Sequence, residues 1–192
     1  MIEDFSPIPK SYSEIQKATV ESGFTMASDL AIGSLLRTLA VSKPGGRFLE
    51  LGTGTGLSTS WILEGMDHNS RLTTIDNDVA CLSIAQKYLG NDPRLNLQCI
   101  DGEDWINANL AKRFDLIFAD TWHGKYLMLD HILEMLKPSG FYIVDDMNPQ
   151  PNWPEGHAEK AEKFIEKLDS SRFLTLTKMN WSTGIIVATR KY

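Results

Sequence analysis

The chain has 192 residues, 42% of them hydrophobic and 23% charged, with a formal charge of −6. That length suits one domain with a real core, and the composition is that of an ordinary soluble protein. The acidic balance, with no basic cluster, argues against a nucleic-acid partner, whose affinity comes mainly from neutralised phosphates. No run approaches the roughly 18 apolar residues of a membrane span.

The opening "MIEDFSPIPKSYSEIQ" carries acids where a secretory signal carries basic residues, and it has no apolar stretch. A cytoplasmic protein with no membrane partner is the expectation. Cys81 and Cys99 lack metal-type spacing and give no reason to expect a disulfide. Tyr12 to Ser22 predicts a short helix. "TMASDLAIGSLLRTLAV" places Met26, Leu30, Leu35, Leu36 and Leu39 near one helical stripe that "KPGG" ends.

Strands and helices then alternate. "RFLEL", "RLTTID", "LNLQCI", "FDLIFAD" and "GFYIVDD" read as strands. "LSTSWILEGM", "VACLSIAQKYLG" and "YLMLDHILEMLK" read as helices, and Gly102 to Leu110 as a loop or short helix. Apolar strands alternating with amphipathic helices predict parallel βαβ units with helices on both faces. "NPQPNWPEG" is a proline-rich linker into the charged helix "EGHAEKAEKFIEKLD". "RFLTLTKM" and "TGIIVATRK", separated by "NWS", predict an antiparallel pair at the sheet edge.

The strongest motif is "FLELGTGTGLS", where a strand ends in Glu50, glycines follow at 52, 54 and 56, and a helix begins. Such glycines permit tight turning and close approach of a ligand to the backbone. The next strand ends in Asp76, placed to accept hydrogen bonds from ribose hydroxyls. A nucleoside-bearing ligand follows. The dinucleotide pattern G-x-G-x-x-G would need glycine where Leu57 stands, and Glu50 would repel a pyrophosphate. S-adenosylmethionine, with a sulfonium, an amino group and an adenosine, suits the loop better.

With these motifs the chain resembles class I S-adenosylmethionine-dependent methyltransferases. More narrowly, it resembles metal-dependent O-methyltransferases related to catechol and caffeoyl-coenzyme A O-methyltransferases. The likeness covers residues 24–147 well. "ELGTGTGLST" is similar to the family's cofactor loop and "TTIDND" to its ribose segment. "FADTWHGKY" and "IVDDMN" are similar to its strand-four and strand-five ends. The resemblance implies an α/β fold: a Rossmann-like, doubly wound, mostly parallel seven-stranded sheet with the antiparallel C-terminal hairpin at its edge. Residues 1–192 would form one methyltransferase domain, with 1–22 as a lid and 23–192 as the core.

It also implies site residues. The donor would touch Met26, Ser28, Glu50, Gly52, Thr53, Gly54, Gly56, Ser58, Asp76, Asn77, Glu103, Asp104, Asp120 and Trp122. Asp120, Asp145 and Asp146 would ligate one divalent cation, and oxygen-only ligation selects Mg²⁺, Ca²⁺ or Mn²⁺. Asp120 alone is also what a helix-capping acid looks like, and neighbours such as Asp145 and Asp146 point to opposite faces of a strand.

The sequence departs from the family at two places: Asp146 stands for the usual Asn, and His123 for the usual Lys, a proposed base. The expected activity is O-methylation of a small hydroxylated, catechol-like acceptor, with Asp120 and His123 as catalytic residues. The alternatives are a donor-binding protein with a degenerate metal site and an NAD-linked oxidoreductase. A homodimer is left open.

Overall fold

The computed structural model describes residues 4–150 and 153–192. The chain begins with two helices, α1 (Tyr12–Ser22) and α2 (Leu30–Val41), before the first strand. Helix α1 ends on Gly23, whose left-handed backbone (φ 76°) is the usual helix stop. Helix α2 begins later than its apolar stripe suggests. Asp29 accepts hydrogen bonds from the N–H groups of Ala31 (2.9 Å) and Ile32 (3.0 Å), so the helix starts there. Met26 therefore lies in the non-helical segment before α2, not on its stripe.

The alternating region comprises β1 (Arg47–Leu51), α3 (Leu57–Gly65), β2 (Arg71–Asp76), α4 (Val79–Leu89), β3 (Leu95–Cys99), α5 (Gly102–Asn109), β4 (Phe114–Ala119), α6 (Leu129–Met135) and β5 (Leu136–Val144). Helix α7 (His157–Asp169) and the strands β6 (Leu174–Met179) and β7 (Ile185–Arg190) follow. Helix α6 is shorter than the expected 126–137. Tyr126 and Leu127 instead donate their N–H groups to the Trp122 carbonyl at 2.9 Å, closing a turn before the helix. Asp78 and Asp101 cap α4 and α5, each accepting two backbone N–H bonds.

The strands form one seven-stranded sheet in the order β3-β2-β1-β4-β5-β7-β6. The first five pair in parallel, and β7 pairs antiparallel with both β5 and β6. One face packs α5, α6 and α7 around Trp105, Ile132 and Phe164; the other packs α1 to α4 around Ile15, Leu36 and Trp61. Burial on both faces explains the apolar runs Leu116–Ala119 of β4 and Phe141–Val144 at the end of β5, and the run of β1 after Arg47 that only Glu50 breaks. The chain reverses its direction of travel across the sheet between β1 and β4. The carboxyl ends of those strands thus flank a topological switch point, where open α/β sheets bind ligands.

Candidate active site

The glycine loop leaves β1 at that switch point. Gly52, Gly54 and Gly56 all have positive φ, at 98°, 51° and 95°. The need for glycine is sharpest at Gly52, where a Cβ would stand 2.8 Å from the Asp120 carbonyl oxygen. The loop is tied to the neighbouring strand by polar bonds. Gly54 N–H donates to Asp76 Oδ2 at 2.8 Å, and Asp78 N–H to Asp76 Oδ1 at 2.9 Å. Each Asp76 oxygen keeps a lone pair free. Thr53 and Thr74 share a 2.7 Å hydroxyl contact beneath the loop.

Glu50 is fully buried under this loop. Thr59 and Thr74 donate to its Oε2 at 2.5 and 2.6 Å, while Oε1 has no partner. Burial pushes the Glu50 carboxyl up to about 7 against the opposing hydroxyl bonds, with a smaller push from Asp76. Ser58, expected among the ligand contacts, is buried beside Glu50. Asn77 is exposed beyond Asp76.

The segment before α2 lies across the site from the loop. A Cβ at Gly54 would come 3.3 Å from the Phe24 ring, and Ser28 Oγ donates to Asp120 Oδ2 at 3.2 Å. Met26 is largely exposed. Glu103 and Asp104 stand exposed in the first turn of α5.

Asp120 and Asp145 come together. Both carboxyls are raised above the ordinary range, first by burial. Mutual charge adds to the shift for Asp120, and Lys125 opposes it for both acids. Asp145 is buried, and its Oδ1 has no partner. Asp146 does not join them in the way the sequence suggests. Its backbone is left-handed (φ 57°), and its Oδ2 accepts the Trp153 indole N–H at 3.3 Å. Among the described residues no three His, Cys, Asp or Glu side chains are grouped to hold a metal ion. Two carboxylates still fit a cation such as Mg²⁺, which usually keeps waters and takes one or two carboxylates plus substrate oxygens.

His123 packs against the start of α5. A Cβ at Gly102 would meet His123 Cβ at 2.7 Å and Nδ1 at 2.8 Å. Lys125 is buried and contributes positive charge to both acids. Lys125 is not among the site residues that the sequence suggests. Its signal is Gly124, whose left-handed turn (φ 83°) redirects the chain between the two residues.

An aromatic group closes the far side. Trp122, 43% exposed, meets Tyr126 and His157 edge-on at 5.5 and 5.9 Å. Trp153 tilts over His157 at 4.4 Å, and the Tyr126 hydroxyl contacts His157 Nε2 at 3.1 Å. Burial lowers the His157 pKa and raises the Tyr126 phenol to about 12. These residues join the proline-rich linker to the β4 end, a proximity that no periodicity announced.

The family described as "Methyltransferase domain" matches residues 49–147, more than half of the chain, from within β1 to just past the end of β5. The chain belongs to that methyltransferase family. The O-methyltransferase hkm8 of Aspergillus hancockii is 32% identical over 152 residues, covering 73% of this chain and 60% of its own. A Mycobacterium leprae protein provisionally named an O-methyltransferase is 35% identical over 95 residues, 47% of this chain and 42% of its own. The chain spans about half the length of the curated relatives it matches.

The fold of this methyltransferase-domain chain is shared with an O-methyltransferase from Bacillus cereus solved in complex with SAH. The TM-score is 0.83 at 18% identity, covering 97% of this chain and 93% of that one. The O-methyltransferase TomG from Streptomyces achromogenes, solved with SAM, gives a TM-score of 0.81 at 22% identity, covering 100% and 92%. Family membership sets aside the NAD-linked alternative.

Proposed function

We propose that this methyltransferase-domain chain transfers the methyl group of S-adenosylmethionine to an oxygen of a small hydroxylated, catechol-like acceptor. The observation that carries the reading is the convergence, at one switch point, of the Glu50–glycine-loop–Asp76 cradle with the Asp120–Asp145 pair. The relatives' names and the SAM and SAH bound in neighbours of the same fold support it.

In this reading the loop backbone receives the methionine end of the donor, and Asp76 uses its free lone pairs for the ribose hydroxyls. Glu50 places negative potential under a loop that must hold a cationic ligand, which disfavours a phosphate. Glu103, Asp104, His123 and Trp122 form the adenine side, and Met26 and Ser28 stand over the methionine end. Orientation of donor and acceptor supplies most of the catalysis. The acceptor oxygen attacks the methyl carbon as the C–S bond breaks, leaving the methyl ether and S-adenosylhomocysteine.

Asp145 Oδ1, buried and unpartnered, receives the acceptor's hydroxyl proton in a hydrogen bond, and the Lys125 ammonium steadies the charge that develops. Asp120 and Asp145 would hold the divalent cation, with Asp146 as an outer partner through Trp153. When bound, a cation there supplies Lewis-acid polarisation of the acceptor hydroxyl. The chain acts as one domain, with the described part of the 1–22 lid, from residue 4, against the loop; residues 1–3 lie outside the described residues, and the 2.7 Å contact between the Thr19 and Thr55 hydroxyls favours this reading.

The test is formation of S-adenosylhomocysteine over a panel of catechols, first with Mg²⁺ and then with a chelator. No product from any acceptor, with donor bound, would overturn the reading.

A further inference from the structure

Helix α7 carries its charges in a segregated pattern. Lys160, Lys163 and Lys167 all line a groove of about 740 Å³ between α5, the β4–α6 loop and α7, whereas Glu159, Glu162 and Glu166 of the same helix do not. A helix face that is merely solvated has no reason to sort its charges this way, least of all in a chain of net charge −6. The groove's floor is apolar and aromatic, formed by Trp122, Tyr126 and Phe164.

The three lysines are not equivalent. Lys167 is neutralised by Asp130 at 2.8 Å. Lys160 lies with its Nζ 4.5 Å from the centre of the Trp122 ring, and neither it nor Lys163 makes an ion pair among the described residues. One unpaired ammonium, that of Lys160, therefore stands beside a half-exposed indole, and a second, that of Lys163, lines the same groove. Glu103 lines the groove at its α5 end, so the positive end is the α7 end. The same loop that forms the floor carries Lys125, which faces the Asp120–Asp145 pair.

We infer that this groove binds an anionic substituent of the acceptor, a carboxylate or a phosphate monoester, held by Lys160 and Lys163 next to Trp122. The inference deepens the proposed O-methyl transfer and rests on it: the hydroxylated ring takes the catalytic side of the Trp122–Tyr126 wall, and its anionic arm crosses to α7. Charge-assisted hydrogen bonds are the stronger kind, and a flanking indole lowers the water exposure that would otherwise screen them. A neutral catechol makes neither contact.

The test compares three acceptors: catechol, a catechol with a ring carboxylate and a catechol with a phosphate monoester arm. Each is measured for binding to the S-adenosylhomocysteine-loaded protein and for turnover with S-adenosylmethionine. At low salt the wild type should favour at least one anionic acceptor over catechol by about tenfold or more in kcat/KM and in affinity. Which of the two is favoured identifies the anion. In Lys160→Gln/Lys163→Gln the ratio should fall to near one, and in Glu162→Gln, on the other stripe of the helix, it should persist. A wild type without preference, or a preference that survives the double substitution, overturns the inference. If no acceptor is turned over, the methyl-transfer reading fails, and the binding ratios still decide whether the groove takes anions.

Discussion

Ala119 and Val144 are register partners at the ends of the parallel strands β4 and β5, and the next residue on each strand is an aspartate. Asp120 and Asp145 thus meet because two adjacent strands stop level with each other. Buried carboxyls so placed repel each other unless a proton or a cation intervenes. Lys125 supplies one charge, and a divalent cation would supply more. Mg²⁺ or Mn²⁺ should therefore raise the melting temperature, since a ligand at about 100 times its Kd adds roughly 2.7 kcal/mol to stability. Asp120→Asn or Asp145→Asn should abolish the shift, and Asp146→Asn should keep most of it. Thermal melts with and without chelator check this. Equal loss in all three variants would make Asp146 a full ligand, against its bond to Trp153.

Lys125 and His123 should separate kinetically. His123 packs on Gly102 at the α5 end, so His123→Ala should weaken donor binding while changing kcat little. Lys125 is buried beside the acids, and Lys125→Met should lower kcat, by about 10²–10⁴-fold if its charge acts in the proton-transfer step. Donor affinity by calorimetry and kcat at saturating donor distinguish the two. The reverse pattern would restore His123 as the base.

Much of this arrangement was legible in the sequence, for identifiable reasons. Strand segments buried on both faces are mostly apolar, so β1, β4 and the end of β5 declare themselves, and Glu50, Asp120 and Asp145 stand out against the runs. The glycine loop and Asp76 are local features with fixed spacing. What stayed hidden depends on contacts distant in sequence. Lys125 puts its charge near both acids after a left-handed turn at Gly124, which no spacing along the chain announces. The pairing of Trp153 with Asp146 and His157 joins a linker to a strand end. The sorting of the α7 lysines acquires meaning only once a groove is seen along one side.

Gly52 is the position where the loop tolerates least. An added Cβ would press on the Asp120 backbone at 2.8 Å, and its φ of 98° is outside what L-residues normally adopt. Gly52→Ala should cost about 2 kcal/mol or more from backbone strain and the displaced strand end. The substitution should also weaken donor binding, because the β1 loop and the β4 end move together. Chemical denaturation and a donor titration on the same variant check both effects. Unchanged stability would show that the loop relaxes without disturbing β4.

Glu50 gives a pH dependence whose sign can be worked through. Its carboxyl is raised from 4.5 to about 7 in the folded protein, chiefly by burial. Between those values the folded state holds a proton that the unfolded state has released, so stability falls as pH rises. The contribution is fully present below the unfolded value and is lost as pH passes through the folded one, a change of roughly 3 kcal/mol at about 1.4 kcal/mol per unit. Asp120 and Asp145 act in the same direction, so Glu50→Gln should flatten the apo-protein's profile by one proton's worth without abolishing the slope. Donor binding should run the opposite way. A cationic ligand over Glu50 gains affinity as the carboxyl ionises near neutrality, so the wild type should bind S-adenosylmethionine more tightly at about pH 8 than at about pH 6. Glu50→Gln should bind it about 10- to 100-fold more weakly at the higher pH, with the pH dependence largely removed. Denaturation curves and calorimetry on both proteins across this range are the measurements. If the variant keeps the wild type's pH dependence of binding, the titrating group is elsewhere and Glu50 only braces the loop.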